Sequence, residues 1–381
     1  MAIKIILIAA FFVVMLGVGV YCRKKATDVN GFVLGGRSVG PWLTAFAFGT
    51  SYFSAVIFVG YAGQFGWNFG LSSTWIGLGN AFIGSLLAWV VLGRRTRVMT
   101  HALDSKTMPD FFGLRFNSPA LKIVASVIVF VFLIPYTASL FNGLSRLFTM
   151  AFPAVDYAWC VVVMAVLTGI YVIIGGYMAT AVNDFIQGLI MLGGIVAVIV
   201  LILGKNGGFT ESVTALANVS SSETANFPGA FASFFGPQPL SLLFVVLLTS
   251  LGTWGLPQMV GKFYAIKSES SITKGTIIST FFAIVVAGGC YFLGGFGRLF
   301  TTPEAVKADG YDSIIPSMLS SLDSDLMIGV VLVLVLSASM STLSSLVLTS
   351  SSTITLDLIA PAVKKFDEKK ILDVAYFYEK L

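Results

Sequence analysis

Residues Leu248–Gly261 read LTSLGTWGLPQMVG, an apolar run that carries Gly252, Gly255 and Pro257. A proline inside a helix removes a backbone hydrogen bond and costs about 3 kcal/mol. Unpaired backbone at bilayer depth persists only where it lines a cavity or binds something. A second stretch of the same kind, Trp42–Ala55, reads WLTAFAFGTSYFSA and lies about 200 residues upstream; Gly49 falls inside it and Gly60, Gly63, Gly66 and Gly70 follow. Each stretch alone is also readable as a plain kink, since glycine and proline are common in membrane helices. Interrupted helices at matching places in two halves point instead to the binding site of a secondary transporter.

Composition agrees with a membrane setting. The chain has 381 residues, 56% hydrophobic and 11% charged, with a mean hydropathy of +0.91. A soluble domain carries about 25% charge, and a disordered chain is poor in apolar residues; neither class fits. The 33 Phe and 39 Gly suit helices that face lipid and pack closely on one another. Three cysteines, all in or beside apolar runs, make neither a disulfide framework nor a zinc site, and His101 is the sole histidine. This removes histidine-based metal centres and Ser-His-Asp chemistry. The net charge of +5 has no basic stripe behind it, so no nucleic-acid partner is expected.

Stretches of about 20 apolar residues, enough to cross a bilayer, fall at 3–22, 42–65, 73–93, 121–148, 157–176, 181–204, 239–263, 275–297 and 326–348. They predict a single membrane domain over residues 1–360 with nine spans. The first span resembles a signal peptide in position, but it is long, runs into Arg23-Lys24-Lys25 and lacks a small-residue cleavage pattern. With the N-terminus outside, 18 of the 23 Lys and Arg residues fall on inner segments and five on outer ones. This is the asymmetry of a multi-pass protein of the cell membrane. Outer segments 205–238 and 299–325 are polar, and Tyr311–Pro316 in the second opens a short surface helix. Residues 361–381 read as a charged cytoplasmic tail.

Ser337–Thr353 reads SASMSTLSSLVLTSSST, with eleven hydroxyl residues in seventeen and no charge. Ala338, Ser341 and Ser345 are three and four residues apart and share one helical face. Neutral hydroxyls and backbone carbonyls can satisfy a sodium ion, a hard cation that takes several oxygens. Close helix packing through small hydroxyl residues is the alternative. Asp184, in Asn183-Asp184-Phe-Ile-Gln187, is the one acid these spans place in the hydrocarbon. Such a carboxylate is a functional candidate, or else an interfacial cap at the inner helix end.

Several strings together resemble the sodium/solute symporters, which include sodium/proline, sugar, sialic acid and pantothenate carriers. They are Phe32–Trp42 (FVLGGRSVGPW), Thr107–Phe116 (TMPDFFGLRF), Gly175-Gly176 with Asn183-Asp184 and Gln187, Gly255–Gln258 with Lys262, and Ser341–Ser344. The resemblance covers roughly residues 1–360 and implies an all-α, polytopic membrane bundle: a LeuT-type inverted repeat of five plus five helices behind one extra helix. It also implies a sodium site from the carbonyls of Thr50, Phe53 and Ala338 and the hydroxyls of Ser341 and Thr342. A second sodium site of some members would fall on Asp184, Ser341, Ser344 and Ser345. The solute would lie near Tyr52, Ser54, Tyr136, Ser139, Trp254 and Gln258.

Two positions depart from relatives. Tyr52 stands where sodium/proline carriers have an aspartate, and Ile57 where sugar carriers have a glutamine, so neither specificity carries over. The chain stops at Leu381, which leaves the second repeat without its last two helices. The expectation is sodium-coupled symport of a small organic solute, an amino acid, monocarboxylate or similar, by alternating access. The working unit is expected to be a monomer in the bilayer with Na+ as its one metal ion and no other cofactor. A symporter-like sensor domain or a transport-dead truncated product are the alternatives. An enzyme is not expected, because no His, Cys or carboxylate pair converges inside the spans.

Overall fold

A computed structural model describes residues 2–220, 227–322 and 324–362. Among these residues there is no strand, only one parallel bridge between Val39 and Ile266. The long helices are α1 (Ala2–Cys22), α2 (Pro41–Tyr52), α3 (residues 56–69), α4 (residues 74–102) and α5 (Pro119–Ala151). They continue as α6 (Tyr157–Lys205), α7 (Pro239–Leu251), α8 (Pro257–Ala265), α9 (Glu269–Gly294) and α10 (Asp325–Ser352). Wider turns at Thr353–Ile359 prolong α10. All but the first two residues of the predicted 361–381 tail lie outside the described residues.

Among the described residues six helices are long and apolar enough to cross a membrane, or seven if α7 and α8, bent by 52°, count as one. The nine expected spans differ from this number because glycine breaks, not loops, separate some of them. At 1.5 Å per residue α6 would reach about 74 Å, against a hydrocarbon core of about 30 Å. Gly176 divides it, with φ 55° and ψ −151°, a conformation open essentially to glycine alone. Gly70, at φ 63° and ψ −143°, parts α3 from α4 in the same way. Counted as rods, with α2 and α3 forming one broken pair, the described residues hold nine.

Some boundaries move. The last predicted span, 326–348, belongs to a helix that continues to Ala362, and the helix read at 275–297 begins at Glu269. The outer segment 205–238 contains a helix at Phe209–Ala217, where none was expected.

α6 packs against α1, α2 and α10, while α9 packs against α2, α3 and α4. Small residues permit the closest approaches. A Cβ on Gly66 would overlap the Gly294 carbonyl, and one on Gly294 would overlap that of Ala62. The outer faces are apolar, as lipid contact demands: Phe132 is 69% and Leu248 74% exposed.

Candidate functional site

α2 stops short of crossing. The last amide of its ladder is Phe53 N–H, which donates to the Gly49 carbonyl at 3.0 Å. Phe53 then leaves helical geometry, at φ −97° and ψ 88°. The Thr50 carbonyl, next in line, accepts instead from hydroxyls of α10: Ser341 Oγ at 3.2 Å and Thr342 Oγ1 at 3.3 Å. Both hydroxyls also lie 3.2 Å from the Ala338 carbonyl.

Four oxygens from two helices therefore cluster in a fully buried place. Their separations matter. A cation that holds oxygens at about 2.3–2.6 Å, as calcium does, sets neighbouring ligands about 3.3–3.7 Å apart in a right-angled shell. Sodium is nearly the same size, so the cluster needs little movement to receive it. Phe53 sits buried at the break itself, its ring stacked on Tyr52 at 4.4 Å between centroids.

Behind this cluster Asp184 is wholly buried, and its ion-pair partner is Lys262 on α8, Nζ to Oδ2 3.6 Å. The Lys262 ammonium donates to Ser345 Oγ at 2.9 Å, and Ser345 Oγ lies 2.9 Å from Ser51 Oγ. Ser344 turns back to the Ser341 carbonyl at 3.0 Å. Of the three serines expected with Asp184 around a second sodium, Ser345 is the one that reaches Lys262. Lys262, which follows Gly255–Gln258 in the family resemblance, is only 3% exposed.

A cavity of about 410 Å³ opens beside the α2 break and takes in Tyr52, Ser54, Tyr136 and Ser139. Trp254 and Gln258, expected there, stand elsewhere. Trp254 Nε1 donates to the Ile83 carbonyl at 3.0 Å, which holds the ring on α4. Gln258 lines a separate cavity with Lys262, Tyr264, Lys106 and Thr107. The displacement follows from the helix break: Pro257 begins a new helix, so residues on its two sides face different ways.

Sequence reasoning missed Asn80, Thr249 and Tyr291 on the wall of the larger cavity. Asn80 Oδ1 accepts from Ser250 Oγ at 3.2 Å, while Asn80 Nδ2 and the Tyr291 hydroxyl are buried without a hydrogen-bond partner. A buried polar group without a partner is costly, so these two donors are suited to a bound acceptor. No charged side chain lines this cavity among the described residues. Asn80 is one amide in an apolar helix, and nothing in its neighbours' spacing sets it apart.

A second buried acid also escaped notice, because its helix runs past the expected end. Asp357, 2% exposed, accepts from Thr107 Oγ1 at 2.6 Å and pairs with Lys122 Nζ at 3.2 Å. Lys122 also holds Asp110 at 2.7 Å. This ties the helix Met108–Arg115, α5 and the end of the α10 helix together.

Residues 32–378 match the sodium:solute symporter family. The sodium/proline symporter of Staphylococcus aureus strain NCTC 8325 is 34% identical over 360 residues, covering 92% of this chain and 67% of that one. The same protein from strain N315 gives the same figures. Among solved structures, a Na+-coupled sialic acid symporter in a substrate-bound outward-open state superposes with a TM-score of 0.82 at 19% identity, over 99% of this chain and 78% of that one. A nucleobase-cation-symport-1 family transporter in a closed conformation gives a TM-score of 0.52 at 15% identity, over 91% and 72%. At such identities these two likenesses concern the fold, and the fold is the expected LeuT-type arrangement.

Proposed function

Because the chain belongs to the sodium:solute symporter family, we propose that its oxygen cluster and the cavity beside it serve sodium-coupled symport of a small organic solute by alternating access. The carrying observation is the convergence of Ser341 and Thr342 hydroxyls on the carbonyls of Thr50 and Ala338. Sodium would exchange those hydrogen bonds for direct oxygen ligands, with the Phe53 carbonyl completing the set. The ion then ties broken α2 to α10. Tyr52 and Ser54, on the same break, form part of the solute wall, so the ion and the solute brace one segment. Coupling requires sodium to favour one state of that segment, since equal affinity for both would shift nothing.

The solute is a small zwitterion or monocarboxylate in this reading. Its anionic group would accept from Asn80 Nδ2 and the Tyr291 hydroxyl, donors that have no other hydrogen-bond partner. In this reading the working unit is a monomer, since one chain can supply both the sodium cluster and the cavity wall. The N-terminus lies outside in this reading, the orientation that the Lys and Arg distribution supports. The Lys4–Asp325 ion pair at 2.9 Å sets the starts of α1 and α10 on one side, so the two share whichever face that is.

The test is uptake into proteoliposomes with and without an inward sodium gradient, run over a panel of labelled zwitterions and monocarboxylates. A thermal-shift screen for solutes that stabilise only with sodium present would select the panel. Uptake indifferent to sodium would sink the reading.

A further inference from the structure

A buried carboxylate beside a cation pathway demands a positive neighbour, and here the chain supplies it. Lys262 reaches from α8 to within 3.6 Å of Asp184 Oδ2 on α6, its ammonium also donating to Ser345 Oγ at 2.9 Å. The face of Tyr177 lies 5.3 Å from the same nitrogen, a favourable position for a desolvated cation. Ser345 follows Ser341 and Thr342 by about one helical turn, and Ser51, its other partner at 2.9 Å, adjoins Thr50. The ammonium thus stands about one turn of α10 from the sodium cluster, between Ser345 and Asp184. Both Asp184 carboxylate oxygens lack hydrogen-bond partners, as does Gln187 Oε1 three residues on along the same helix face. Among the described residues the lysine charge alone pairs with this group.

We propose that Lys262 is a tethered second cation: it fills the place beside Asp184 and Ser345 that a second sodium would otherwise take, and so limits the protein to one sodium per cycle. The inference rests on the symport reading above and adds to it the stoichiometry and the residue that sets it. A cavity of about 50 Å³, room for a few waters at most, borders Lys262 and is lined by Ser345, Thr349, Ser352 and Thr353. Removing the ammonium enlarges this space, which Lys106 also borders, and leaves the buried Asp184 carboxylate beyond Ser345 without its ion-pair partner. Those are the conditions for capturing a hard monovalent cation.

The experiment is equilibrium binding of radioactive sodium alone to the purified full chain, with choline as the balancing cation. Wild type is expected to bind one sodium per chain. Lys262→Met, which keeps the side-chain bulk and drops the charge, is expected to bind two. The double variant Lys262→Met/Asp184→Asn, with neither charge, is expected to return to one. Two sodium ions on wild type would overturn the inference even if no variant folds, as would a folded Lys262→Met that binds one. No sodium on wild type would instead overturn the symport reading itself, so the two failures are distinct.

Discussion

The Ser341 hydroxyl lies 3.2 Å from the Thr50 carbonyl oxygen, a contact between residues 291 apart in sequence. It joins a helix that stops inside the bundle to one that passes through it. Since Thr50 has lost its own helical donor, the contact satisfies a carbonyl that would otherwise be orphaned.

Ser341→Ala and Thr342→Ala should each raise the sodium concentration needed for half-maximal uptake. Losing one oxygen to a cation costs about 1.5–3 kcal/mol, on the scale of a hydrogen bond to a charged group, or about 10- to 100-fold. Uptake at saturating sodium should fall much less. Sodium titrations of transport check this, and unchanged half-saturation in both variants would remove the assignment.

Asn80→Ala and Tyr291→Phe should weaken solute rather than sodium. Each deletes a buried donor that faces the cavity, so KM for the solute should rise about tenfold, from about 1–1.5 kcal/mol per hydrogen bond. Sodium binding measured without solute should stay at its wild-type value. A rise in sodium half-saturation without a change in KM would be the contrary result.

Asp357→Asn should destabilise the protein by about 3 kcal/mol, the lower end for breaking a buried pair, since Lys122 keeps Asp110 as a second partner. A lowered Tm in detergent is the readout. Lys122→Met should cost more, because it leaves the buried Asp357 without a cation. Equal Tm values in both variants and wild type would show that the tie carries no stability.

Gly176→Ala should be poorly tolerated. Its φ of 55° and ψ of −151° exclude a side chain at a cost of about 1–3 kcal/mol, and the new Cβ would stand 2.8 Å from the Phe32 carbonyl. Reduced yield of folded protein and a lower Tm are expected. Gly204→Ala, at an open helical position where a Cβ meets nothing within 4 Å, serves as the control and should match wild type.

Much of the architecture was legible because lipid imposes long apolar runs and glycine or proline marks their interruptions. The hydroxyl run of Ser337–Thr353 pointed to its face of α10 through helical spacing alone. The identity of the oxygens opposite it came from the family resemblance, since Thr50 contributes a backbone atom that no side chain announces. The pairing of Lys262 with Asp184 was not legible, because position along a span does not reveal which way a long side chain turns. Asn80 and Tyr291 were missed for a related reason, since a lone polar group in an apolar helix looks like packing until its unmet donor is seen.

The interlock of Gly66 with Gly294 has a mechanical corollary. With two backbones in such intimate passage, α3 and α9 travel as a single rigid strut, and the cavity wall carried by Tyr61, Phe65 and Tyr291 travels with it. Whatever narrows the chamber during a turnover must then be a swing of the α5 or α7 side against that strut.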